Sequence, residues 1–407
     1  MPKVLELFSG IGGMRHALCM AGVTADFTPV DINHSANEVY RHCFPGSSPS
    51  PKRRRLDMPA MDIGRLPVEF FAGYTLWTMS PPCQPFSRQG KQKGSLDNRS
   101  NALHHIYSDV LQGLAEADLP AAIVLENVKG FEQSCVYHEL KAALLSRGFT
   151  VHGFLLTPRV LGFPNERLRF YLVARRSPFP RCIPQDEIQN QLPGSEEYAY
   201  VPITDFLLTD APDDLTIPET TLRKRAAFCF DIVVPKETEV YRGRFYGRDM
   251  PVGLQSPFKP HSLCFTKAYG RYVDGTGSVL CTWTDFESTT EEGFPIVDKQ
   301  DEGCMLPYVD RLRYFHPDEV ARVMGFKQQG STNPLTSLVP GHRCLPAPLV
   351  DLTALTDDDK DCRCVGLEFP SCLTRKQKWK LLGNSLNPAV VALVVKATGL
   401  DVLLGSD

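Results

Sequence analysis

The sequence predicts an α/β fold: a mostly parallel sheet with helices on its faces, and a smaller second domain. Three observations carry this. A short apolar strand at the N-terminus runs through a glycine turn into a helix, and a fully apolar run, Ala121-Ala122-Ile123-Val124-Leu125, reads as a strand buried on both faces. Strand and helix patterns then alternate to about Arg176, where Ser177-Pro178-Phe179-Pro180 opens a proline-punctuated, polar stretch of the kind found at a domain boundary. With 407 residues, 43% of them hydrophobic, the chain can bury one large core and a smaller one.

The first strand is Val4-Leu5-Glu6-Leu7-Phe8, followed at once by Ser9-Gly10-Ile11-Gly12-Gly13 and by helical apolar spacing over Met14-Arg15-His16-Ala17-Leu18-Cys19-Met20. A glycine turn lets a ligand approach the backbone and leaves helix-start amides free to bind it; a purely structural tight turn uses the same residues. A second strand, Phe27-Thr28-Pro29-Val30-Asp31-Ile32-Asn33, carries Asp31 about 20 residues past the glycines, the spacing at which a carboxylate accepts hydrogen bonds from ribose hydroxyls. An adenosine-type ligand is implied. Asp31 is alternatively the N-cap of the following helix. Asp62-Ile63 falls at the next loop on the same edge, where Asp62 can accept from an adenine amino group or serve as a solvated turn residue.

Tyr74-Thr75-Leu76-Trp77-Thr78-Met79 leads into Pro81-Pro82-Cys83-Gln84-Pro85-Phe86-Ser87. The prolines restrict the backbone and remove amide donors, so the segment is expected to be a rigid loop that presents one thiol at a strand end, where a nucleophile is mounted. Thirteen cysteines are present, and a single one is by default a small core residue. The strand Ala121–Leu125 ends in Glu126-Asn127-Val128, again placing a carboxylate at a carboxyl end, and in open parallel sheets ligands bind in the crevice outside those ends. Arg167 and Arg169, one residue apart before another apolar strand, share a face by alternation. They suit a phosphate or a carbonyl oxygen; a surface pair on an edge strand is the other reading.

In order along the chain, Phe8-Ser9-Gly10-Ile11-Gly12-Gly13, Pro81-Pro82-Cys83-Gln84, Glu126-Asn127-Val128, Arg167-Leu168-Arg169 and Gly383-Asn384-Ser385 resemble the cytosine-5 methyltransferases. Ser262-Leu263-Cys264-Phe265-Thr266-Lys267-Ala268-Tyr269-Gly270 resembles a cysteine-phenylalanine-threonine signature of the tRNA-directed branch, which modifies aspartate tRNA in its anticodon loop. The resemblance implies a Rossmann-like S-adenosylmethionine-dependent methyltransferase domain and a smaller target-recognition domain. It implies Cys83 as nucleophile, Glu126 as the group that hydrogen-bonds the cytosine ring, and Arg167 and Arg169 as stabilisers of ring and flanking backbone. Phe8, Gly10, Gly12, Asp31, Ile32, Asp62, Ile63, Asn384 and Ser385 would hold S-adenosylmethionine, leaving S-adenosylhomocysteine as product. Many DNA-directed members carry glutamine where this chain has Asn165.

Those residue types fit the chemistry. Cytosine C5 is a poor nucleophile, so a thiolate first adds at C6 to make C5 enamine-like. Glu126, if protonated, donates to N3 as charge builds, which requires a carboxyl kept neutral by burial. A free thiol with pKa about 8.5 needs nearby cations or helix starts to become a thiolate. The target base must also leave its stack, which is easiest for an unpaired base in an RNA loop.

The formal charge of −3, from 44 basic and 47 acidic residues, excludes a generic positive field, so tRNA binding must be local, with DNA a weaker partner. Lys52-Arg53-Arg54-Arg55 is the densest basic run, a phosphate contact, a solvated loop or a nuclear import signal. Arg242, Arg244, Arg248, Lys267 and Arg271 interleave with Tyr241, Phe245, Tyr246 and Tyr269, a mix suited to phosphate contact and base stacking; Arg242, Arg244, Lys267 and Tyr269 are taken as substrate-binding candidates.

The expected domains are residues 1–185 with 375–407 for catalysis and cofactor, 186–345 for target recognition, and 346–374 as an insertion around Asp357-Asp358-Asp359-Lys360-Asp361. A helix is expected to start at Pro317 or Asp318. His342, Cys344, Cys362, Cys364 and Cys372 lack the paired spacing of structural zinc sites, so no metal is expected. An odd cysteine count without a signal peptide or a membrane-length apolar run points to a reducing compartment, cytoplasmic and nuclear. Cys264 reads as core packing or as a redox-sensitive neighbour of Cys83.

Overall fold

The computed structural model describes residues 1–45, 60–82, 101–180, 188–193, 200–222, 232–234, 258–271, 275–282, 311–327 and 366–405. β1 (Lys3–Leu7) is buried from Val4 onward and feeds α1 (Gly13–Met20). β2 (Asp26–Val30) feeds α2 (His34–Cys43), whose N-cap is Asn33, accepting from the Ser35 and Ala36 amides. Asp31 is therefore not the cap. β3 (Leu76–Met79) precedes α3 (Asn101–His104), which passes through a wider helical turn over His105–Val110 into α4 (Leu111–Gly113). β4 (Ala122–Val128), α5 (Cys135–Ser146), capped by Ser134, β5 (Thr150–Leu156) and β6 (Arg169–Arg175) follow.

These strands form a six-stranded sheet in the order β2-β1-β3-β4-β6-β5. β1 pairs in parallel with both β2 and β3, and β3 in parallel with β4. The chain thus leaves β1 toward one side and returns on the other, which opens a crevice at the carboxyl ends next to β1. β6 runs antiparallel between β4 and β5, in a register that sets Val128 opposite Arg169. That reversal brings the start of β6 to the same edge as the ends of the parallel strands.

Side chains of β1 alternate between two cores, Val4 toward α1 and Leu5 and Leu7 toward the opposite face with Trp77, Ile123 and Leu140. α6 (Glu219–Leu222), β7 (Ile232–Val233), β8 (Phe258–Lys259), β9 (Val279–Cys281) and β10 (Leu312–Arg313) come next, the strands forming a four-stranded sheet in the order β10-β9-β7-β8. α7 (Pro317–Val323) begins at Pro317, with His316 as N-cap in a reciprocal capping box with Glu319. α8 (Arg375–Gly383), α9 (Pro388–Ala397) and α10 (Leu400–Leu403) close the described chain. α9 is buried along its whole length and packs on α1, so the last segment returns to the first sheet as its apolar sequence demands. No helix among the described residues is long and apolar enough to cross a membrane.

Candidate active site

A cleft of about 710 Å³ opens at the crevice predicted by the strand order, lined from β1 to β4 and from the end of α8. Its first wall is the turn after β1, where Phe8 and Gly10 both take left-handed backbone, at φ 57° and 55°. The Gly10 amide donates to Asp31 Oδ2 at 2.8 Å and the Asn33 amide to Oδ1 at 2.7 Å. Asp31 thus ties the glycine turn to the end of β2, and each oxygen keeps acceptor capacity for ligand hydroxyls. Burial pushes its carboxyl above the ordinary range, partly offset by the Asn33 and Gly10 amides. Ile32 is 64% exposed, a large apolar face on the cleft wall. Asp62 also lines the cleft, accepting from the Gly64 amide at 3.1 Å and lying 3.3 Å from Arg65 Nε, while the Ile63 side chain is part of the core behind it.

Gly12 departs from its expected place. It does not line the cleft; it sits at φ 86°, and a Cβ there would lie 2.7 Å from the Phe44 ring and 3.2 Å from Tyr40. Its role is the left-handed turn and the close approach of α2, not ligand contact. Ser9, which the sequence analysis did not single out, does line the cleft, and its Oγ is buried without a partner. The wall continues with exposed Asn384 and with Ser385, at the carboxyl end of α8. The start of α1 favours anionic groups and the end of α8 cationic ones, so the two helix ends suit a ligand bearing both charges.

Pro81 and Pro82 bring the chain to this cleft directly before Cys83, which lies outside the described residues. Glu126, at 8% exposure, faces the same space with its Oε1 3.4 Å from Arg169 Nε. Burial raises its carboxyl above the ordinary range, against the pull of Arg169 and then Arg167. The group is biased toward the acid that a proton donor must be.

Arg167, only 3% exposed, donates to the Phe265 carbonyl at 3.1 Å, to Cys264 Sγ at 3.1 Å, and to the Ser385 carbonyl. Arg169 donates to Cys264 Sγ at 3.4 Å and to the Leu168 carbonyl at 2.9 Å. The surface-pair reading of these arginines does not hold. Cys264 is held between both guanidiniums, and although burial opposes it, their combined charge lowers its thiol pKa. Asn165 explains how Cys264 is delivered. Fully buried, its amide donates to Ser262 Oγ at 2.9 Å and the Leu263 carbonyl at 3.2 Å, pinning that segment beside the approach to β6.

Of the proposed substrate contacts, Lys267 lines the cleft and is exposed. Tyr269 corrects the expectation: it is 3% exposed, and its hydroxyl donates to the Ser278 carbonyl and accepts from the Phe315 amide. It is a core residue packed edge-on against Trp379 and Phe265, with no face for a base. Arg242, Arg244 and Arg248, Lys52–Arg55, and His342, Cys344, Cys362 and Cys364 lie outside the described residues. The structure adds a basic row that the sequence reading missed: Lys376 and Lys380 are exposed one turn apart on α8, leading to Asn384 at the cleft.

Residues 2–333 match the model of the family described as C-5 cytosine-specific DNA methylase. A protein of Bos taurus named tRNA (cytosine(38)-C(5))-methyltransferase is 32% identical over 97% of this chain and 98% of its own. A Dictyostelium discoideum protein named DNA (cytosine-5)-methyltransferase is 29% identical over 97% of this chain and 93% of its own. The crystal structure of a mutant of Spodoptera frugiperda DNMT2 superposes with a TM-score of 0.66 at 29% identity, covering 98% of this chain and all of the other.

Proposed function

Because the chain belongs to the C-5 cytosine-specific DNA methylase family, we propose that it methylates C5 of an anticodon-loop cytosine in tRNA, position 38 of aspartate tRNA, with S-adenosylmethionine as methyl donor. The observation that carries the chemistry is the buried, acid-biased Glu126 paired to Arg169 in the cleft that Gly10 and Asp31 also wall. When bound, the cofactor supplies an electrophilic methyl on a cationic sulfur. The residues present fit it: Asp31 for ribose hydroxyls, Ile32 and Asp62 for the adenine, the free Ser9 hydroxyl and the start of α1 for the carboxylate, and Asn384 with the end of α8 for the cationic end.

Cys83, as thiolate, adds to C6 of the flipped base while Glu126 delivers its proton to N3, so negative charge does not accumulate on the ring. The electron pair then available at C5 takes the methyl group. A base removes the C5 proton, the C5–C6 double bond re-forms as Cys83 leaves as thiolate, and N3 returns its proton to Glu126. Arg169 holds Glu126 in place, and Arg167 links the Cys264 segment to the Ser385 carbonyl of the cofactor wall.

The tRNA assignment is supported by the name of the Bos taurus relative, by the Cys264-Phe265-Thr266 segment bonded to Arg167 and Arg169 of the cleft, by Lys267 in the cleft lining, and by Lys376 and Lys380 on the face of α8 that leads to Asn384. This local basic row meets the requirement set by a net charge of −3. We assign target recognition to residues 186–345, which include the second sheet, and place the activity in cytoplasm and nucleus. The test is incubation with methyl-labelled S-adenosylmethionine and, separately, total small RNA and genomic DNA. Label is expected in RNA; label in DNA alone makes the protein a DNA methyltransferase.

A further inference from the structure

α1 has no cap of its own. Gly12, its N-cap residue, offers no side chain, and the first turn holds no acidic residue. A helix start in this state leaves several amides without partners. One of them is satisfied from another element: the Arg15 amide donates to Glu6 Oε1 at 3.3 Å, reaching down to strand β1. The other carboxylate oxygen, Oε2, accepts the Tyr40 hydroxyl at 2.7 Å. Tyr40 belongs to α2, and its ring lies 3.2 Å from where a Gly12 Cβ would be, directly beneath the glycine turn.

The Arg15 guanidinium closes this arrangement. It donates to the Tyr40 hydroxyl at 3.4 Å and lies over the rings of Phe44 and Phe27, at 4.2 and 4.5 Å. Glu6 itself is fully buried. A carboxyl in the interior of a sheet, with no part in the chemistry, calls for a reason.

We propose that Glu6 is the positioning residue of the cofactor turn: a carboxylate from β1 that caps α1 in place of a helix N-cap and fixes Tyr40 beneath Gly12. With the Arg15 amide taken by Glu6, the Gly12 amide by the Ser9 carbonyl and the Gly10 amide by Asp31, the turn is held at the cleft that Ile11 and Gly13 line. The inference rests on the reading of that cleft as the S-adenosylmethionine site.

The device is proton-linked. Burial raises the Glu6 carboxyl to about 7, opposed by the Tyr40 hydroxyl and by Arg15, with Asp31 adding a smaller upward push. These three, from α1, α2 and the end of β2, are the charged and titratable groups that face it among the described residues. The ionised carboxylate accepts from both donors; the protonated acid turns one oxygen into a donor and releases one of them. Ligand binding that needs the cap in place favours the ionised form, so affinity rises with pH through about 7 and falls below it.

The experiment is calorimetric titration of the whole protein with S-adenosylhomocysteine from about pH 6 to about pH 8.5, alongside Glu6→Gln and Tyr40→Phe. The wild type is expected to bind more tightly as pH rises. Glu6→Gln is expected to weaken binding about 3- to 30-fold at the upper end, the range for loss of a cap, and to flatten the pH dependence. Tyr40→Phe removes a donor to the carboxylate and moves the midpoint to higher pH. Equal affinity and equal pH dependence in wild type and Glu6→Gln overturn the proposal. If Glu6→Gln does not fold, an unmoved midpoint in Tyr40→Phe overturns it instead. Failure of the wild type to bind at all rejects the cofactor reading along with it.

Discussion

Glu126 lies in β4 directly after its apolar run Ala122–Leu125, and its environment is what makes a carboxylate useful there. Burial favours the neutral acid while Arg169, 3.4 Å away, holds the group oriented. Glu126→Gln keeps the shape and removes the proton, so the turnover rate is expected to fall at least about 100-fold with cofactor affinity unchanged, measured by single-turnover methyl transfer. Asp31 has a different task. Its carboxylate holds Gly10 and Asn33 and keeps lone pairs for a ligand, so Asp31→Ala is expected to weaken S-adenosylhomocysteine binding by about 1.5–3 kcal/mol. Unchanged affinity by calorimetry removes Asp31 from the site. Both carboxylates were legible in the sequence because each follows an apolar run. The seat of Cys264 between the two guanidiniums was not, since it depends on Asn165 fixing Ser262, 97 residues further along. Gly12 and Tyr269 were misread for a related reason: a glycine against α2 and a tyrosine bonded within the core look, in sequence, like ligand contacts.

At the scale of elements, β6 shows most clearly where sequence pattern stops. Alternation put Arg167 and Arg169 on one face, but only the antiparallel pairing with β4 sets Arg169 opposite Val128 and so at the crevice. Strand direction is decided by the connection around residues 157–168, not by the apolar run itself. α8 carries a second element-level consequence. Gly383 ends it so close to the Thr266–Lys267 backbone that a Cβ would lie 2.2 Å from the Thr266 carbonyl carbon. Gly383→Ala is therefore expected to cost about 1–3 kcal/mol in denaturant unfolding, and a variant as stable as wild type would show that this contact gives way. The exposed face of the same helix is expected to meet phosphate. Replacing Lys376 and Lys380 with alanine should weaken RNA binding and lower the salt dependence by about one unit for each lysine that contacts phosphate, with catalysis at saturating RNA retained.

For the molecule as a whole, the parallel strands, the order β2-β1-β3-β4 and the return of α9 to α1 converge on one cleft. The doubly wound start and the buried strand before Glu126 were readable because apolar runs and glycine turns are local signals. The short strands of the second sheet were not, being two or three residues each and held by pairing partners far along the chain. Within this architecture the account stands on a cysteine adding to C6 of a cytosine. Fluorine at C5 in place of hydrogen leaves no proton to remove after methyl transfer, so such an adduct cannot resolve. The deciding measurement is denaturing electrophoresis of the protein incubated with S-adenosylmethionine and a tRNA anticodon-loop RNA carrying 5-fluorocytosine. A covalent protein–RNA band is expected in the wild type and absent in Cys83→Ala; no band in the wild type, or an equal band in Cys83→Ala, contradicts the addition of Cys83 to C6.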